Sequence, residues 1–126
     1  MNRRDFLFGA PALAASFTSC SLDRRPRLNV FNWSAYIAPD TVPRFEAEYG
    51  VSVRYAVYES NEEMLARVMS GNSGWDIVFP TNYIVKPMLA NQLLAPIDHS
   101  LLSNLVQIEE HFQHPAWDPE LEWSVP

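Results

Sequence analysis

Cysteine, glycine, histidine and basic charge are all scarce in this chain of 126 residues, and each scarcity excludes something. The one cysteine, Cys20, has no partner for an internal disulfide, so no bridge staples the fold. The four glycines form no phosphate-cradling loop: GNSG at 71–74 reads as a four-residue turn. There is no GxSxG elbow to present a serine nucleophile. Of the three histidines, His111 and His114 stand three apart beside Glu110, a spacing that can hold a metal. No cysteine or second histidine pair completes such a site, so they read as exposed loop and helix-end histidines and no metal is expected. Beyond residue 25 the chain carries five basic and thirteen acidic side chains. So acidic a body is a poor phosphate binder, which argues against nucleic acid and favours cations. The paired carboxylates Glu62-Glu63 and Glu109-Glu110 read as solvated helix faces, not catalytic dyads. No enzyme chemistry and no cofactor is expected.

A membrane-spanning run is missing too. The uncharged stretch FLFGAPALAASFTS, residues 6–19, is too short for a stable transmembrane helix and suits the apolar core of an export signal. Arg3 and Arg4 supply its positive end. NRRDFLF resembles the twin-arginine export motif, although Asn2 and Phe8 depart from the usual residues; ordinary secretion is the alternative. FTSC resembles a lipoprotein processing site, in which Cys20 becomes the lipidated first residue. Ala12-Leu13-Ala14 offers a competing cleavage site. Residues 1–20 are thus expected to be an export signal with a lipidation site, and SLDRRPR, residues 21–27, a polar tether.

From residue 28 the pattern alternates between strand and helix. LNVFNW (28–33) reads as a strand. TVPRFEAEY (41–49) reads as a helix with Asp40 as N-cap, Pro43 in the first turn and Gly50 as its stop. VSVRYAVY (51–58) alternates with period two and is a strand. Ser60 and Glu63 form a capping box ahead of Met64, Leu65 and Val68 at helical spacing. WDIVFP (75–80) is a short strand ended by Pro80, residues 82–91 a helix containing Pro87, and LLAPID (93–98) a strand or extended segment. SLLSNLVQIEEHF (100–112) reads as a helix broken near Asn104, and the proline-rich tail after it as irregular. Strands alternating with helices imply an α/β fold with helices packed on a mostly parallel sheet.

In such a sheet, ligands bind outside the carboxyl ends of the strands. Three of those ends carry conspicuous residues: Trp33-Ser34-Ala35-Tyr36, Tyr58-Glu59-Ser60 and Pro80-Thr81-Asn82-Tyr83. Aromatic faces attract ammonium groups and hydroxyls orient them, so this edge suits an organic cation. Core packing is the competing role for each ring. Glu59 and Ser60 read chiefly as the shape and cap of the second helix.

These residues, as FNWSAYIAPDTVPRFEAEYG, VSVRYAVYESNEEMLARV, GWDIVFPTNYIV, LLAPID and WSVP, resemble the amino-terminal segment of the periplasmic spermidine/putrescine-binding proteins. The resemblance runs from about residue 28 to residue 126. N-W-[ST]-x-Y and Y-E-S-N-E together are its most specific motifs. It implies a type II periplasmic-binding-protein fold of two α/β lobes, of which residues 28–126 would be part of the first lobe. It further implies a monomeric periplasmic receptor that hands a polyamine to the membrane permease of an ABC importer. Trp33, Ser34, Tyr36, Thr81 and Tyr83 would line the cleft. Ala35 departs from the family, which commonly places an acidic residue there to pair with a ligand ammonium. A receptor for another small solute is therefore the first alternative; an exported enzyme and a structural lipoprotein are the others. The chain is expected to be a fragment or an early truncation, because WSVP stops without a capping signal.

Overall fold

A computed structural model describes residues 23–71 and 73–126. Strand β1 is Arg27–Trp33, helix α1 Thr41–Tyr49, strand β2 Ser52–Tyr58, helix α2 Asn61–Met69, strand β3 Ile77–Val78 and helix α3 Asn82–Ala90. The strands pair in the order β2-β1-β3, all parallel. The register sets Trp33 beside Tyr58 and Phe31 beside Val78, so the three carboxyl ends share one edge of the sheet. Each crossover between strands is made by a helix, as parallel pairing requires.

The core lies on the face covered by α2 and α3. Phe31, Tyr58, Met64, Ile84 and Met88 are buried there, with Trp75, Leu65, Val68 and Leu94 packed round them. Phe31 stacks on Trp75 at 4.6 Å and meets Tyr58 edge-on at 4.8 Å. The Arg54 guanidinium covers the outer face of Trp75 at 4.5 Å. By contrast α1 buries none of its residues; it lies along β2, where Glu46 Oε1 accepts the Val53 N–H at 2.6 Å.

Helix ends follow local chemistry. Gly50 stops α1 in the left-handed conformation, φ 65°, and its N–H donates to the Glu46 carbonyl. Ser60 caps α2 by accepting the Glu63 N–H at 3.1 Å. Glu63 reaches back to the N–H of Glu59 rather than to that of Ser60, so the capping box closes one residue early. Asp40 does not cap α1. Its backbone is already helical, φ −91° and ψ −4°, so its carboxylate faces away and pairs with Arg44 at 3.6 Å.

Two further expectations are corrected, and the open choice over 93–98 is decided. The strand expected over 75–80 has only two ladder residues. Asp76 Oδ2 takes the Asn29 backbone and side-chain N–H groups before it, and Pro80 has no N–H to continue after it. The segment 93–98 is extended and pairs with no strand; Ile97 N–H donates to the Glu122 carbonyl at 2.7 Å. The helix expected over 100–112 is instead three 3₁₀ turns, His99–Leu101, Ser103–Gln107 and Glu110–Phe112. Asp98 takes the Ser100 N–H and hydroxyl, and Leu101 and Val106 remain 78% and 84% exposed. Without a face to bury, a longer helix gains nothing from packing. Pro87, in contrast, is tolerated inside α3. The tail is irregular as expected, yet it is anchored: Asp118 accepts the N–H groups of Glu122, Trp123 and Ser124 and the Ser124 hydroxyl.

Candidate functional site

The site is built where β1, β2 and β3 end. Asn32, buried at the end of β1, accepts the Trp33 N–H with its own side chain at 2.8 Å. The chain then turns, with the Ser34 N–H donating to the Tyr58 carbonyl at 3.3 Å. Ala35 takes φ 54°, the left-handed conformation that a side chain with a Cβ disfavours. That residue throws Tyr36 outward, 68% exposed, with its ring tilted against Trp33 at a centroid distance of 6.3 Å.

Trp33 itself is half-buried. One side of its indole packs on Tyr58 at 4.7 Å, and its Nε1–H donates to the Phe79 carbonyl at 2.8 Å. The Tyr58 hydroxyl donates to the same carbonyl. Burial pushes the Tyr58 phenol up to about 12. This shared acceptor ties the ends of β1 and β2 to the loop after β3.

An open groove of 770 Å³ runs from this edge along the free side of β3. Trp33, Tyr36 and Thr81 line it together, as do Trp75, Trp117 and Trp123, so all four tryptophans of the chain meet there. Among the described residues that line it, Asp76 has the one charged side chain.

The five residues expected from the sequence do not share one setting. Trp33, Tyr36 and Thr81 face the groove. The Ser34 hydroxyl instead donates to Glu59 Oε2 at 3.0 Å, which fixes an exposed carboxylate at the same edge. Tyr83 is 59% exposed, and its hydroxyl is held by Asn61 at 2.8 Å. Asn61, buried at the first position of α2, also holds Thr81 through both its backbone N–H and its hydroxyl. Sequence reading passed over Asn61. The signal available was an amide side chain next to a complete helix cap, where capping alone gives it no role. Cys20 lies outside the described residues.

The histidines have local partners. His114 Nδ1 bonds the Pro119 carbonyl, His99 Nε2 bonds the Leu121 carbonyl, and His111 packs edge-on against Phe112. Among the described residues, no three His, Cys, Asp or Glu side chains gather as a metal site would require.

No family model matches the chain. Single proteins do. It is 38% identical over 101 residues to the putrescine-binding periplasmic protein SpuD of Pseudomonas aeruginosa, covering 79% of this chain and 28% of that one. It is 32% identical over 121 residues to the spermidine/putrescine-binding periplasmic protein of Escherichia coli, covering 95% of this chain and 35% of that one. Among solved structures, the spermidine/putrescine ABC transporter substrate-binding protein PotD of Streptococcus pneumoniae superposes with a TM-score of 0.77 at 32% identity, over 80% of this chain and 31% of that one. The lipoprotein TpPotD of Treponema pallidum superposes with a TM-score of 0.74 at 39% identity, over 79% and 32%. In sequence and in fold, then, the chain is homologous to the spermidine/putrescine-binding periplasmic proteins over 28–35% of their length.

Proposed function

We propose that this chain supplies one wall of the binding cleft of an extracytoplasmic receptor, which carries a polyamine to the permease of an ABC importer. The receptor binds and releases its ligand; it is not an enzyme. The observation that carries the reading is the meeting of Trp33, Tyr36 and Thr81 on one groove at the carboxyl edge of a parallel sheet. An alkyl-ammonium chain lies against such rings by burying its methylenes and presenting its charge to their faces. The relatives named for putrescine and spermidine binding favour that ligand class over other small solutes.

Ala35 leaves the turn without the carboxylate that a desolvated ammonium needs. Glu59, held by Ser34 at the same edge, takes that part in this reading. Residues 1–20 carry the protein across the membrane, and Cys20 anchors it there as a lipoprotein, the term also used for the Treponema relative. The mature protein acts as a monomer in the periplasm. Mass spectrometry of the exported protein should find a diacylglyceryl group on Cys20; a soluble product starting at Ala15 would remove the anchor from this account.

Trp33 provides the decisive test. Putrescine titrated into the chain should shift the Trp33 indole N–H resonance, together with signals of Tyr36 and Thr81. Trp33→Ala should weaken the Tyr36 and Thr81 responses about two- to fivefold, the loss of one solvent-exposed cation contact of about 0.5–1 kcal/mol. Shifts confined to surface carboxylates, with none at these three residues, would show mere charge attraction and overturn the proposal.

A further inference from the structure

The wall proposed above has two ring-bearing parts, and they are fixed by different means. The end of β1 is part of the sheet. The segment 79–83 is a loop after a strand of two residues, and its own ladder cannot hold it. Its helix cap adds little, since the Thr81 side chain accepts no bond from α3 and only its carbonyl takes the Ile84 N–H at 3.0 Å. Trp33 and Tyr58 hold its first residue through the Phe79 carbonyl; what holds Thr81 and Tyr83 is Asn61, 4% exposed, reaching across from α2.

The protonation pattern of this contact follows from chemistry alone. A backbone N–H can only donate, so the Asn61 atom facing the Thr81 N–H at 3.1 Å is its carbonyl oxygen. The other end is then the NH₂ group, which has two donors and nothing to accept with. It lies 2.8 Å from Thr81 Oγ1 and 2.8 Å from Tyr83 Oη. Both hydroxyls must therefore accept from Asn61. Each keeps its own proton and one lone pair for a partner on the far side. A hydroxyl that accepts one bond becomes a better donor for the next.

We infer that Asn61 is the positioning residue of the cleft edge. It sets where the Thr81 and Tyr83 hydroxyls stand and leaves their protons turned outward. This rests on the reading of the edge as a binding wall, but the contact itself can be tested without a ligand. Asn61 uses all three of its side-chain hydrogen-bonding groups on this one segment, and spends none on capping its own helix, where Ser60 already serves. A side chain present only to fill the core would not need that complete set.

The test is made on the full chain with Asn61→Ala and Asn61→Asp. In Asn61→Ala the Thr81 amide should exchange its hydrogen about tenfold faster or more, the opening expected when a buried bond is lost. Amides of β1 and β2 should keep their wild-type protection. Asn61→Asp should restore protection at Thr81, because a carboxylate oxygen still accepts that N–H. In a putrescine titration, Asn61→Ala should lose the Tyr83 ring response while keeping that of Trp33. Wild-type protection of Thr81 in Asn61→Ala would overturn the inference, as would equal loss of protection throughout β1 and β2. So would failure of Asn61→Asp to restore protection at Thr81. If putrescine moves neither Trp33 nor Tyr83 in the wild-type chain, the amine reading fails by itself, and the exchange data still decide the role of Asn61.

Discussion

Trp33 shows how a residue can belong to the core and to an edge at once. Its packing on Tyr58 and its bond to Phe79 face inward, and the rest of its ring faces the groove. The sequence posed these roles as alternatives; a half-buried ring satisfies both. Tyr58 beside it links pH to stability. Its phenol titrates at about 12 when folded and about 10 when unfolded. The folded state therefore keeps a proton that the unfolded state loses. The resulting stabilisation is complete below pH 10 and disappears as pH rises to 12. Urea midpoints measured from pH 8 to 12 should fall across that window, and Tyr58→Phe should flatten the fall. Ala35 gives a second prediction. Its left-handed backbone costs about 1 kcal/mol with a Cβ, and Asn and Asp bear that conformation best. Ala35→Asn and Ala35→Asp should both melt at or slightly above the wild-type temperature, and only Ala35→Asp should strengthen putrescine binding. Of the site, the aromatic ends of the strands were legible, because large rings beyond a strand's last residue ask for a reason. Asn61 was not, because its partners lie twenty and twenty-two positions away and no local pattern announces them.

At the scale of elements, the helices were legible where a cap or a stop left a local mark. The bounds of α1 agree with the sequence reading although its expected N-cap fails, since Gly50 and the pattern of the helix suffice. Ser60→Ala should cost about 1 kcal/mol in denaturant unfolding, the usual value of a used cap. Asp40→Ala should cost less than about 0.5 kcal/mol, because it removes only an exposed ion pair. Similar losses for the two variants would contradict the observed geometry. Elements whose form depends on distant cover were misread: the apolar residues of 100–112 suggested a helix, and with Leu101 and Val106 in water too little packs on them to make one. The tail should respond to acid. Burial by itself would raise the Asp118 carboxyl, but the bonds from Trp123, Ser124 and Glu122 outweigh it and hold the group below the usual carboxylate range. A folded value below the unfolded one gives stability that is present above about pH 4 and is lost as pH falls through the folded value. Fluorescence of Trp117 and Trp123 should report release of the tail at a pH where far-ultraviolet dichroism of the sheet is unchanged.

At the scale of the molecule, the alternation of strand and helix was enough to foresee a parallel sheet with its marked residues on one edge. The order β2-β1-β3 agrees with that, and it puts the first strand in the centre. The groove is open, with Tyr36 and Tyr83 mostly in water, and charges met in water are screened. Calorimetry of the chain with putrescine or spermidine should therefore find no submicromolar affinity; such affinity would mean that one wall suffices. The brevity of β3 has another side. An edge strand such as β3 invites foreign strands to add to it, the first step of misassembly. Ile77 and Phe79 would make that rim sticky, each being 42% exposed. Two rungs followed by Pro80 give an incoming chain almost nothing to pair with. The same shortness that makes the loop depend on Asn61 thus leaves the β3 rim little to offer a foreign strand.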